Sequence, residues 1–520
     1  MTIVGIFLRY RHMRHWTSLV IFLLVMEAHA EAATFTAASC SKANVDTAIA
    51  SASDGDTVQI PACGSTTWAS AVTTSKGITI QGAGLGVTTI NNNGFDMTAV
   101  DGKSWRITAM TLTGTACVNA LTESKAWRVD HIHFDTVSPG AGRCENRLIW
   151  IEPTGPGYTK GLIDHNMFTD PGAIQVHMRA SGDGGNGEWI RALGLGTDDA
   201  VYIEDNDFLH STLNVSNPTT DCDGGGRLVF RYNNVENTYF EMHDAIVGGA
   251  RSCRKWEVYN NTFAMTYDSG QFAFIGIRGG TGVVFNNVFN TNGFYINDST
   301  AVALYRLAQT GGDPWDVLCA VGSGKATLND TTPPAGCTGT ANGCIDIDGA
   351  GSGGYPCRDQ FGFDGNTTQT SLPALFWNNT LNGSQHNNFI FSGPSSPASF
   401  IVEDRDWCRS NTASPPSTCN GVSTTYTAYT YPHPLQSTGG SGSSIVLFLS
   451  SWGWAIAPTV SLLWSLRSIL LAGVMAMYAL AGSGTAHAVS YSSRAQGIAK
   501  HAVAVAIVKC LSCKKGTNGL

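Results

Sequence analysis

The phrase apolar-x-x-Asn-x-apolar recurs along the middle of the chain, and it limits the fold more than any other feature. It occurs as "IDHNMF" with Asn166, "IEDNDF" with Asn206, "FRYNNV" with Asn233, "VYNNTF" with Asn261, "VFNNVF" with Asn287 and "FWNNTL" with Asn379. Successive asparagines are 40, 27, 28, 26 and 92 residues apart, and "VDHIHF" (Val129 to Phe134) reads as a degenerate earlier copy. A β-rich period in the high twenties is the mark of a solenoid: it is too short for a propeller blade and carries no helical pattern. Asparagine suits a sharp left-handed turn, and its amide can bond the next rung. Stacked copies would form an asparagine ladder, with the following Phe pointing inward onto its equivalents. The expected fold is all-β, a right-handed parallel β-helix.

Composition agrees. Of 520 residues 59 are glycine and only 13% are charged, and long amphipathic helical stretches are nearly absent. The net charge of −8, without a Lys/Arg block, argues against a nucleic-acid partner. It leaves room for a local cationic cleft that binds an acidic polysaccharide.

The ends divide the chain further. Residues 1–30 combine Arg9, Arg11 and Arg14, the apolar "SLVIFLLVM" and "AHA" ending at Ala30, the pattern of a secretory signal peptide. The β-helix is expected over 34–435 and a Gly/Ser linker over 436–445. Over 446–520 runs a hydrophobic tail that reads as a membrane anchor or as a segment fused from a neighbouring reading frame. Twelve of fourteen cysteines lie between Cys40 and Cys419, an even number that fits disulfides in an exported body. Cys40 with Cys63, Cys222 with Cys253, Cys337 with Cys344 and Cys408 with Cys419 stand close in sequence. A zinc site is the competing idea, with "HIH" at His131 and His133 the one cluster for it in the body. The reading places the protein outside the cell or on its surface, as a monomer, with membrane association through the tail.

Spacings of 40 and 92 mark insertions, one over His177 to Asp199 and one rich in Gly, Pro, Thr and Cys before Asn379. Long solenoid loops commonly build the binding face. Charged residues concentrate between Glu236 and Arg278. Arg251 and Arg278 lie 27 residues apart, one rung by the local period, so their guanidinium groups are expected to flank one groove and attract a uronate carboxylate.

The start, "NVDTAIASASDGDTVQIPAC" followed by "KGITIQGAG", resembles the entry of right-handed parallel β-helix proteins of the pectate-lyase-like superfamily, where a helix caps the open end. "GGYPCRDQFGFD", "PALFWNNTLNG", "EDRDW" and "YTYPHPL" resemble a broader class of exported bacterial β-helix proteins. "ARSCRKWEVYNNTF" and "IRGGTGVVFNN" resemble the alginate lyase and chondroitinase B family over about 50 residues. That resemblance implies a polysaccharide lyase, with Arg251, Lys255 and Arg278 catalytic and Glu241 and Asp244 near the family's calcium-binding acids; His243, Arg254 and Arg358 are the residues expected to bind substrate. The chemistry would be β-elimination: the uronate carboxylate is neutralised, a base takes the C5 proton and the O4 bond breaks. Two alternatives stand beside it. "TDDAVYIEDNDF" offers Asp198, Asp199, Glu204, Asp205 and Asp207 for a polygalacturonase-like hydrolase. A non-catalytic glycan-binding adhesin is the other.

Overall fold

A computed structural model describes residues 32–140, 142, 144–155, 158–180, 186–212, 217–243, 251–267, 273–294, 302–304, 359, 361–364, 370–387, 389–391 and 401–437. The chain divides into two units, Met1–Ser444 and Ile445–Leu520. The second unit, the signal peptide expected over 1–30 and the expected Cys337–Cys344 pair lie outside the described residues. No helix among the described residues is long and apolar enough to cross a membrane.

The first unit is an all-β solenoid of parallel strands. A 21-stranded sheet takes two strands from most rungs, for example Val201–Glu204 and Asp207–Leu209. Six-stranded and four-stranded sheets follow one another along a second side, where Thr220–Asp223 meets Phe240–Glu241 through the bonds of Thr220 Oγ1 to Glu241 O (3.0 Å) and of His243 N to Cys222 O (2.8 Å). Strands pair without slippage: Val201 with Leu228, Leu228 with Trp256, Trp256 with Gly282. Apolar residues at every second position fill the interior, each worth roughly 1.5–3 kcal/mol when fully buried.

The asparagine ladder is present. The side-chain oxygen of Asn206 accepts both the backbone and the side-chain N–H of Asn166, each at 3.0 Å. Asn233 does the same for Asn206, Asn261 for Asn233, Asn287 for Asn261 and Asn379 for Asn287. In the degenerate copy Ile132 stands at the ladder position and contributes only its backbone N–H, to Asn166 (2.9 Å). Phe134, Phe168 and Phe208 stack at 4.7 Å, fully buried.

One expectation needs correcting. The left-handed residue is not the ladder asparagine but the one before it. Asn260, Asn286 and Asn378 take φ of 57°, 56° and 52°, and His165, Asp205 and Tyr232 take 54°, 57° and 56° on earlier rungs. In each Asn-Asn pair the first residue turns the chain and the second carries the ladder. The ladder's two buried hydrogen bonds per step offset the cost of a left-handed non-glycine residue.

The helix Lys42–Ser51 buries Val45, Ala48 and Ile49 at the solenoid's entry. Lys76 Nζ donates to the carbonyls of Ile49, Ala50 and Ala52 at 2.7, 3.0 and 2.5 Å, placing a cation on the helix's negative end. Disulfides join Cys40–Cys63, Cys222–Cys253 and Cys408–Cys419, and also Cys117–Cys144. Four disulfides suit an oxidising environment.

Two segments cover the outer face of the long sheet. The insertion begins later than the sequence suggests, because His177 belongs to the strand Ile174–Arg179. Its end folds back so that Arg227 reaches the carbonyls of Ala192 and Leu193 (2.7 and 2.9 Å). The C-terminal segment from Tyr426 to Gln436 runs the other way across the rungs. Arg231 holds the carbonyls of Tyr429 and Thr430 (both 2.8 Å), Glu204 accepts from His433 N (2.8 Å), and Arg128 reaches Leu435 O and Gln436 O (3.3 and 3.2 Å).

Candidate functional site

The side formed by the two smaller sheets carries a column of polar and aromatic residues that face away from the core. In Ile174–Arg179, Val176 and Met178 pack inward, so His177 and Arg179 face out. In Thr220–Asp223, Cys222 packs inward and Asp221 and Asp223 face out. Parallel register then aligns Asp96, Asn119, Trp150, His177 and Asp221 on successive rungs.

Near the junction the column becomes a chain of alternating charge. His243 Nδ1 meets Asp221 Oδ1 at 2.5 Å. Asp221 Oδ2 lies 3.3 Å from His177 Nδ1, and His177 Nε2 lies 3.6 Å from Asp223 Oδ1. Arg179 grips Asp223 through two bonds of 2.8 and 3.0 Å. The Trp150 ring stacks on His177 at 4.8 Å, with the guanidinium groups of Arg147 and Arg179 at 4.6 and 5.4 Å from its centre. One rung beyond, Arg278 pairs with Glu241, whose other oxygen accepts from Tyr239 Oη at 3.1 Å.

Burial pushes against charge at each of these groups and is overruled where partners are close. It disfavours ionised Asp221, yet His243 and His177 hold that carboxyl well below its ordinary range. Asp223 is likewise depressed, by His177 and Arg179. Burial would lower His243, but the Asp221 carboxylate raises it to about 9, and Asp221 also raises buried His177. Both carboxylates are therefore ionised at neutral pH, and His243 carries a proton there.

Of the residues picked from sequence, Glu241, His243 and Arg278 come together here. Around Arg251 the offset of 27 holds, with Gly279 against Ser252 and Gly280 against Cys253, but Lys255 opens the long-sheet strand that pairs with Thr281 at an offset of 26 and does not share a groove with Arg278. Arg251 is buried against Asp359 (Nε to Oδ2 2.8 Å) and over the Trp189 ring at 4.5 Å. Arg254 lies over the same ring at 4.8 Å. Lys255 faces the other side, under the insertion, bonding Gly194 O (2.6 Å) and Glu257 (3.1 Å), and burial lowers its pKa. All three side chains are buried. Asp244 and Arg358 lie outside the described residues.

Of the two acids expected to hold calcium, Glu241 alone is among the described residues. Glu241 spends its two oxygens on Arg278 and Tyr239, a cation and a hydroxyl donor. Among the described residues no group of three or more His, Cys, Asp or Glu side chains is placed to hold a metal. His131 and His133 also diverge: φ of 52° at His131 breaks strand alternation, its Nδ1 meets Asp130 at 2.7 Å, and His133 Nε2 meets Thr169 at 3.1 Å. The aspartate cluster scatters as well. Asp198 pairs with Lys160, Asp199 with Arg191 and Arg227, Glu204 with Arg231, and Asp205 accepts from Tyr431.

Sequence reasoning missed Trp150, His177, Asp221 and Asp223. The usable signal was a polar residue at alternate positions in "IQVHMR" and "TDCD". No family model, curated protein or solved structure matches the chain.

Proposed function

We propose that the protein is an exported parallel β-helix protein of the pectate-lyase-like kind that cleaves a uronate-containing polysaccharide by β-elimination on this side face. One observation carries the reading: His243, seated on Asp221, stands one rung from Arg278 on a face that also bears Arg147 and Arg179, in a chain of net charge −8. Elimination needs a cation at the uronate carboxylate and a group that moves a proton between C5 and the O4 leaving group. Arginines supply the first. His243 supplies the second: its neutral form, which grows as pH rises toward about 9, takes the C5 proton, and the resulting imidazolium, stabilised by Asp221, returns a proton to O4, so turnover should rise with pH up to that value.

The protonation pattern favours elimination over a two-carboxylate hydrolysis. Such a hydrolysis needs one carboxyl protonated near neutrality, whereas Asp221 and Asp223 are both depressed. The test is incubation of the protein with alginate, pectate and chondroitin while the absorbance of the unsaturated product is followed. A gain with one of them, lost in His243→Gln, supports the assignment, and no gain with any of them overturns it. Binding without turnover would make the face a glycan-binding surface of the adhesin type.

A further inference from the structure

The arginines of this molecule are not equivalent. Arg106, Arg128, Arg179 and Arg231 lie 2.5, 2.6, 2.8 and 2.5 Å from a carboxylate oxygen, and Arg251 and Arg278 are equally close to theirs. Arg147 differs. Its nearest carboxylate is Glu145 at 3.7 Å, and that side chain is 62% exposed, which screens it. One Nη donates to the Glu145 carbonyl, but Nε is buried with no hydrogen-bond partner among the described residues. The guanidinium lies on the Trp150 ring at 4.6 Å. Burial without a close counter-ion lowers its pKa.

The backbone before it is built to hold it there. Glu145 and Asn146 both take positive φ (46° and 65°). Arg147 N bonds Cys144 O at 2.9 Å, and Cys144 is tied to Cys117 on the previous rung. A disulfide-pinned, left-handed turn thus fixes a cation at the edge of the side face with donor capacity unused. An unpaired buried donor costs free energy until an acceptor arrives, and a guanidinium edge matches a planar oxyanion.

We propose that Arg147, stacked on Trp150, is the subsite that recognises an oxyanion on the ligand, the carboxylate or sulfate group of an acidic sugar. This deepens the reading above by locating where the acidic group is held, and it rests on that reading for the ligand being a glycan. Arg179 flanks the same ring but is committed to Asp223, so it sets the edge of the subsite instead of filling it.

Calorimetry with an oligouronate, a sulfated oligosaccharide and a neutral oligosaccharide of equal length tests the proposal. Arg147→Gln should weaken at least one acidic oligomer on the order of tenfold, the worth of one charge-assisted bond, and leave the neutral one unchanged. Arg147→Lys should fall between. Glu145→Gln, a change at an exposed side chain, should tighten acidic oligomers a few-fold by removing a competing charge, and it serves if Arg147→Gln does not fold. Unaltered acidic binding in Arg147→Gln, unaltered binding in Glu145→Gln, or equal affinity of the unsubstituted protein for neutral and acidic oligomers overturns the subsite. So does a failure of both acidic oligomers to bind. Turnover is scored separately: Arg147-dependent binding without unsaturated product removes the lyase reading and leaves the subsite standing.

Discussion

The outer face of the long sheet and the side face of the two smaller sheets are both lined with arginine–carboxylate pairs, yet they do different work. On the long sheet, register aligns Asp130, Asp164, Glu204 and Arg231 in one column, and Arg106, Arg128 and Arg231 neutralise the three acids. Arg128 and Arg231 also donate to carbonyls of the C-terminal segment, and Glu204 takes His433 N and Gln436 Nε2 (both 2.8 Å). On the side face the charges alternate through histidines, His177, Asp221 and Asp223 are themselves buried, and Arg147 keeps a donor unspent. A buried ion pair is thus a poor marker of function by itself. What separates the two faces is whether the pair's leftover hydrogen-bonding capacity is consumed by the protein.

The sharpest way to break this contrast is to remove an acid from the covered face. Glu204→Ala leaves Arg231, fully buried, without its carboxylate and should cost about 3–5 kcal/mol, with early loss of hydrogen-exchange protection over residues 429–436. Unchanged thermal stability would show that the column is not what holds this segment. A step down, Asn261→Ala orphans the donors of Asn233 and should cost about 1–3 kcal/mol while leaving ligand binding intact, as chemical denaturation and calorimetry would report.

Acid should act on the covered face too. Burial depresses His433 to about 3, so the unfolded chain takes up a proton near pH 6.5 that the native state refuses until about pH 3. The stabilisation is complete above that upper value and is lost as pH falls between the two. His433→Asn, which keeps an acceptor for Leu435 N but cannot titrate, should flatten melting temperature against pH between 7 and about 4. On the side face, His243→Gln takes the cation from the buried Asp221 and leaves a neutral amide donor in its place, which should cost about 1–3 kcal/mol and lower any elimination activity by about 100-fold or more. Equal rates in the two proteins would remove His243 from the chemistry.

The sequence exposed the rung period because Asn and Phe recur at positions where spacing is nearly constant. It exposed three of the four disulfides because those partners lie on adjacent rungs or in one loop. The covered face was hidden because its partners, such as Arg231 and Thr430, stand 199 residues apart and share no pattern. The offset of 27 between Arg251 and Arg278 holds, but Asp359, 108 residues away and outside any repeat, takes the Arg251 guanidinium. The side-face column was missed for another reason: Trp150 and His177 stand 27 residues apart, a full rung, but the insertion after Arg179 stretches the next step, from His177 to Asp221, to 44.

The ladder has one more consequence. Asn261 N reaches Asn287 Oδ1 at 3.1 Å across 26 residues, and Asn287 N reaches Asn379 Oδ1 at 3.0 Å across 92. A rung is therefore closed by what stands at its two ends, and the length of chain between them is nearly free. Such a scaffold can acquire or shed a whole loop in one genetic event without disturbing the stack, provided the next asparagine returns on time. It behaves as a spine on which recognition elements are interchangeable, with a single amide per turn as the coupling.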